Sequence, residues 1–292
     1  MNVVTSVDEV RAARRSLGDS VGVVLTMGAL HEGHLELVRA AKSDHARVLA
    51  TIFVNPMQFA PGEDFTRYPR PIERDLTLLH DAGVDLVFMP TPQEIYPPGF
   101  QTTIEVGDAA SGLEGAQRPG HFRGVATVVA KFFHLTQPST AYFGQKDAQQ
   151  VVVIRRMVRD LDFPLDIVVI PTQREEDGLA MSSRNVYLSE DDRQNARALS
   201  RALRAAAWAY DEGIRDPAVL RGAAQVALEQ SAGEVEYVSI NDPRTLAPVL
   251  AATEAPLLLS LVVRYGSTRL LDNCLLPGSL NTREGLTMTL GA

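Results

Sequence analysis

Over roughly the first 170 residues, short β-rich runs alternate with segments whose apolar residues recur at helical spacing. The strand candidates are 21–26, 48–54, 85–89, 140–143 and 167–170. Between them lie helix candidates near 33–45, 72–82, 125–136 and 147–160. Pro71 stands where a helix can begin, and the 43–45 stretch and Gly83 stand where helices can end. Few architectures satisfy this alternation: it predicts parallel strands joined by crossover helices, a doubly wound α/β sheet. Ligands of such sheets bind beyond the carboxyl ends of the strands, so the segments after Thr26, Val54 and Phe143 are where chemistry is expected.

The second half reads differently. After about Glu175, Ser189 followed by three acidic residues looks like a helix N-terminus, with a long Ala/Arg-rich helix expected to about Asp211 and another over about 217–230. Three apolar runs follow at 235–240, 256–263 and 269–271, the last two joined by a hairpin-like Tyr265-Gly266-Ser267. We therefore expect two domains, 1–175 and a smaller α+β domain over 176–292, with a disordered polar tail beyond about Pro277.

Composition narrows the function classes. Lys and Arg number 28 against 36 Asp and Glu, a net charge of −8 that disfavours a general nucleic-acid binder. No apolar run approaches the length of a membrane span, and the first 20 residues lack the apolar core of a signal peptide. Cys274 is the single cysteine and cannot form an internal disulfide, which fits a reducing cytoplasm.

Four polar clusters carry the candidate chemistry. Thr26-Met27-Gly28-Ala29-Leu30-His31-Glu32-Gly33-His34 joins a strand to a helix. There, free backbone N–H groups and the helix dipole favour a phosphate, and Gly33 leaves room for close approach. The zinc alternative is weak, because the histidines are three apart rather than four and no thiolate cluster completes a site. Asn55-Pro56-Met57-Gln58 offers neutral amides, or merely a turn. In Gly144-Gln145-Lys146-Asp147-Ala148-Gln149-Gln150, Lys146 can hold a phosphate and Gln150 lies one turn on; the plain alternative is a helix capped by Asp147. Asp177-Gly178-Leu179-Ala180-Met181-Ser182-Ser183-Arg184-Asn185 places a cation beside two hydroxyls, as in KMSKS-type loops, or is an ordinary linker.

Together and in this order, the four clusters resemble the pantoate–β-alanine ligase family, from the N-terminus to about Asn273. The resemblance includes Gly120-His121-Phe122-Arg123-Gly124-Val125, the 156–161 segment and Thr268-Arg269-Leu270-Leu271-Asp272-Asn273. Leu25 departs from it, standing where the family more usually has proline. The resemblance implies a Rossmann-like N-terminal domain with a smaller C-terminal lid domain, a homodimer, and ATP used with Mg²⁺. The reaction it implies is condensation of (R)-pantoate with β-alanine through pantoyl adenylate, giving pantothenate, AMP and pyrophosphate. It assigns His34, His31 and Lys146 to catalysis. It assigns Met27, Gly28, Gly33, Gly144, Gln145, Lys146, Asp147, Gln173, Met181, Ser182, Ser183 and Arg184 to ATP, and Gln58, Gln150 and Asn55 to pantoate. Ligands for the metal stay unassigned, and His121 is expected to have no catalytic role. Two other readings remain open, a nucleotidyltransferase acting on another acceptor and a nucleotide-binding module without turnover.

Overall fold

A computed structural model describes all 292 residues, Met1–Ala292. They form two compact units, Met1–Gly144 with Val153–Ile170, and Gln145–Val152 with Pro171–Ala292.

The first unit is built on six parallel strands, β1 (Asn2–Val4), β2 (Val21–Thr26), β3 (Arg47–Ile52), β4 (Leu86–Phe88), β5 (Thr140–Gly144) and β6 (Asp166–Ile170), in the order β1-β4-β3-β2-β5-β6. The helices are α1 (Val7–Arg15), α2 (Glu32–Asp44), α3 (Ile72–Asp81), the single turns α4 (Pro92–Ile95) and α5 (Glu114–Gln117), α6 (His121–Thr136) and α7 (Ala148–Asp160), whose first turn groups with the other unit. Alternation along the strands sets the two faces. Val24, Val48, Ala50, Ile52 and Val87 pack with Leu37, Val38 and Ala41 of α2 and Leu79 of α3. Phe88, the next residue along β4, points the other way and meets Phe132 of α6 edge-on at 5.9 Å, where Phe53 joins at 5.6 Å. Both faces are therefore covered by helices, which is why the strands read as continuous apolar runs. The chain leaves β2 toward β3 and later returns to β5 on its other side, so the order reverses beside β2, and the carboxyl ends of β3, β2 and β5 open side by side at that switch point.

The second unit holds α8 (Glu190–Ala196), α9 (Ala198–Asp211), α10 (Pro217–Leu228), an antiparallel sheet of β7 (Glu234–Asn241), β8 (Leu257–Tyr265) and β9 (Thr268–Leu276), and α11 (Arg283–Thr289). Ala198, Ala202 and Ala206, one turn apart on α9, let it approach the sheet closely, and Leu257, Leu259, Leu261 and Val263 of β8 supply the facing row. Gly266, at φ +54°, makes the two-residue hairpin between β8 and β9.

The structure corrects several expectations. β1 is too short to show a pattern in sequence, yet it pairs with β4. α6 begins at His121, four residues early, because Gly120 takes the left-handed conformation at φ +83° and starts the helix there. The expected long helix breaks at Arg197, whose N–H turns to the Asn195 carbonyl. β9 runs well beyond 269–271, since each of its residues pairs with one of β8, from Thr268 opposite Tyr265 to Leu276 opposite Leu257. The tail is ordered: Thr282 caps α11 by accepting from Gly285 N at 3.1 Å, and Leu286 and Leu290 are fully buried.

Candidate active site

The turn after β2 is braced from three sides. Thr26 Oγ1 donates to the Thr51 carbonyl at 2.6 Å and accepts from Gly28 N at 3.1 Å. Asp75, buried on α3, accepts from Ala29 N at 2.8 Å and from Leu30 N at 2.9 Å, one backbone N–H on each oxygen. Gly28 turns the chain at φ +79°, and a Cβ there would lie 3.0 Å from the Asp75 carboxylate, so a side chain would disturb the anchor as well as the turn. Sequence reasoning missed Asp75, because it stands 46 residues from Ala29.

The braced turn delivers two imidazoles to the start of α2. His31 is the N-cap, and its Nδ1 accepts from Gly33 N at 3.2 Å. His34 reaches back, with Nδ1 accepting from His31 N at 3.3 Å. The two histidines thus form a reciprocal capping box, with ring centroids 4.1 Å apart. Since each Nδ1 is an acceptor, the neutral rings carry their protons on Nε2. Two N–H donors at the positive end of a helix dipole suit an anionic group.

Gln58, in the turn after β3, donates Nε2 to Met27 Sδ at 3.0 Å and accepts on Oε1 from Asn55 Nδ2 at 3.0 Å. Asn55 is buried, and its amide is committed throughout. Its Nδ2 also donates to the Gly124 carbonyl at 3.1 Å, and its Oδ1 accepts from Met57 N at 3.2 Å and the Tyr96 hydroxyl at 2.8 Å. Asn55 is thereby a support for Gln58. Gly124 allows α6 to lie directly on this turn, where a Cβ would come within 2.2 Å of the Met57 carbonyl oxygen.

Burial and the nearby Arg118 guanidinium push the His121 imidazole down to about 4, so the ring is neutral near pH 7. Its Nδ1 donates to the Gln58 carbonyl at 2.7 Å, and Arg118 Nη1 approaches Nε2 at 3.1 Å. Arg118 also forms a forked pair with Glu63 at 2.7 and 2.6 Å. Although burial alone raises the Glu63 carboxyl, the Arg118 hydrogen bonds outweigh it and hold it below the usual range. The 91–123 stretch carries Tyr96 and Arg118 into this network. The Gly120–Val125 motif was the available signal; its loop-like composition concealed the helix start.

The second unit carries the other clusters. Asn273, buried, donates Nδ2 to the carbonyls of Gln145 and Lys146 at 3.1 and 2.8 Å. The buried Gln145 side chain bridges Asn281 Oδ1 at 2.7 Å and Thr172 N at 3.2 Å, so its amide is spent inside the protein. Lys146 and Gln150 are half-buried and Asp147 is exposed, while Gly144, at the end of β5 in the first unit, has open space where a Cβ would stand. Gln173 accepts from Met181 N on its carbonyl at 2.9 Å, closing the loop that leads to Ser182, Ser183 and Arg184. Ser182 caps the following turn by accepting from Arg184 N at 3.2 Å. Arg174 anchors this loop through a forked pair with the buried Asp272 at 2.6 and 3.0 Å, and Asn185 ties to Glu175 at 2.8 Å. Arg174 and Asp272 lie 98 positions apart, so their pairing was not foreseen. No group of three or more His, Cys, Asp or Glu side chains gathers as a metal-holding cluster.

The comparisons with known proteins agree with one another. The sequence model of the family described as pantoate-beta-alanine ligase matches residues 2–275. A pantothenate synthetase of Herpetosiphon aurantiacus is 55% identical over 277 residues, covering 94% of this chain and 99% of the relative. A crystal structure of pantothenate synthetase from Thermus thermophilus superposes with a TM-score of 0.90 at 50% identity, covering 94% of this chain and 98% of that one. A pantoate-beta-alanine ligase from Francisella tularensis, complexed with beta-gamma ATP and beta-alanine, superposes with a TM-score of 0.77 at 33% identity, covering 94% and 97%. On its sequence over nearly the whole length, and on its fold, the chain belongs to the pantoate–β-alanine ligase family.

Proposed function

We propose that the chain joins (R)-pantoate to β-alanine in two steps. A pantoate carboxylate oxygen attacks the α-phosphorus of ATP and pyrophosphate leaves, giving pantoyl adenylate. The β-alanine amine then attacks the acyl carbon; the amide bond forms, the amine loses a proton and AMP departs. Adenylation is needed because a bare carboxylate would have to expel oxide, whereas the adenylate expels a phosphate monoester. The first step demands stabilisation of charge building on the phosphates, which is a matter of positioned donors.

The observation that carries this reading is the double-histidine cap of α2, which leaves two neutral rings with N–H donors on Nε2. In this role His31 and His34 hold the α-phosphate through hydrogen bonds from Nε2–H, with His34 the better candidate donor. Lys146, Ser182, Ser183 and Arg184 take up the β- and γ-phosphate charge. Met27, Gly28, Gly33, Gly144, Gln145, Asp147, Gln173 and Met181 shape the nucleotide site, Gln145 through its backbone. Gln58 and Gln150 grip pantoate, and Asn55 serves by holding Gln58.

Mg²⁺ accompanies the nucleotide in this reading and supplies charge screening on the phosphates. An ion of this kind is carried mainly by phosphate oxygens and water, and no side chain is assigned to it. The reading also includes a cytoplasmic homodimer and a functional division into 1–175 for nucleotide and pantoate and 176–292 for the smaller domain. Pyrophosphate release from ATP and Mg²⁺ should require pantoate, and pantothenate should appear by mass only after β-alanine is added. Release that ignores pantoate would remove the reading.

A further inference from the structure

Gln58 is held by its backbone as firmly as by its side chain. Its carbonyl oxygen receives His121 Nδ1 at 2.7 Å and Arg118 Nη2 at 3.3 Å, which uses both lone pairs. A guanidinium only donates, so Arg118 Nη1 at 3.1 Å fixes His121 Nε2 as the acceptor and Nδ1 as the protonated nitrogen. Glu63 in turn takes Nε and Nη2 of Arg118, which sets the plane of the guanidinium. Three ionisable side chains thus converge, directly or in sequence, on one loop carbonyl. Partly burying such groups carries a desolvation cost that an apolar filling would avoid, so fold stability alone is a poor reason for them.

We infer that Glu63, Arg118 and His121 form a positioning relay that fixes the Gln58 peptide, and through it the aim of the Gln58 amide at pantoate. The inference rests on the assignment of Gln58 to pantoate. None of the three needs to touch the substrate. The relay fixes the peptide, Asn55 fixes the side-chain oxygen, one N–H goes to Met27 Sδ, and the other keeps a single direction. A free carbonyl would let the turn rotate and spread that direction, which weakens binding without altering the phosphate chemistry.

The test is steady-state kinetics on the full chain with ATP, Mg²⁺, pantoate and β-alanine. Gln58→Ala should raise the KM for pantoate. His121→Ala should raise it about tenfold, the scale of one lost positioning contact, and leave the KM for ATP within about twofold. His121→Asn, whose side-chain N–H can replace Nδ1–H, should recover most of the loss. Arg118→Lys keeps the charge but has one point donor in place of a fork, so it should fall between these. In a Gln58→Ala background, His121→Ala should add less than about twofold, since contacts acting through one group do not add. An unchanged KM for pantoate in His121→Ala, or a full tenfold loss still present without the Gln58 side chain, would overturn the relay while leaving Gln58 in place. No effect of Gln58→Ala would instead remove the assignment beneath it, and the relay with it. If His121→Ala does not fold, His121→Asn and Arg118→Lys decide the matter.

Discussion

Asp75 and His34 show how differently two residues serve one turn. The Asp75 carboxylate has no solvent exposure and spends both oxygens on backbone N–H groups. Asp75→Asn turns one of those acceptors into a donor facing another donor. The fold should lose about 2–3 kcal/mol, the scale of a buried charged hydrogen bond broken on one side, read as a lower urea midpoint. His34→Ala, by contrast, removes a side chain that is only half-buried. Stability should fall little, while the pantoate-dependent pyrophosphate burst should slow by about 10²–10³-fold, as when one transition-state donor is lost. Lys146→Ala should do the same, and a normal burst in either variant would exclude that residue. The histidines were legible in sequence because their cap is a contiguous motif. Asp75 was not, because its partners lie 45 and 46 positions away and meet it only once α3 has folded beside α2.

At the scale of elements, sequence reading worked where local pattern and tertiary demand coincide. β2 spans 21–26 as expected, because a β-rich run between Ser20 and the Gly28 turn is also a strand buried at the centre of the sheet. α3 starts at Ile72, where Pro71 already fixes the backbone. Reading failed where an element is held by partners remote in sequence. The tail is the clearest case, since its composition is polar while its order comes from Asn281. That amide accepts from Gln145 Nε2 at 2.7 Å and Leu275 N at 2.9 Å, and donates to the Leu275 carbonyl at 2.8 Å. Asn281→Ala strips the partner from the buried Gln145 amide and should destabilise the second unit by about 1–3 kcal/mol. Protease resistance of the tail beyond Pro277 should drop with it; a tail as resistant as before would mean that Leu286 and Leu290 alone hold α11. The site was half-legible for the same reason. Its four clusters follow strands or turns and show in sequence, whereas their supports at Tyr96, Arg118, Arg174 and Asp272 are assembled from distant segments.

Over the whole molecule, the shifted groups that titrate in acid all pull one way. His121 is held at about 4 against an ordinary 6.5, first by burial and then by Arg118. Asp85 lies below its ordinary range, since the Val48 N–H, Arg47 and Lys42 outweigh the burial that would raise it, and Glu63 lies low through Arg118. In each case the folded chain prefers the less protonated form, so the unfolded chain binds more protons in acid. Stability is therefore complete above about pH 6.5 and must fall as the pH drops through 6.5 toward 4, by at most about 1.4 kcal/mol per pH unit for His121 alone. The two carboxylates extend the loss below that range. An opposite effect exists: the net charge of −8 vanishes near the isoelectric point of about 5.3, which relieves self-repulsion. Those charges are mostly exposed and screened beyond about 8 Å at physiological salt, so the buried imidazole should win. Urea midpoints between pH 4 and 7 should decline steadily toward acid, and His121→Asn should flatten the 6.5-to-4 segment while keeping the steeper fall below it. A midpoint that rises toward the isoelectric point would mean that net charge, rather than His121, governs acid stability.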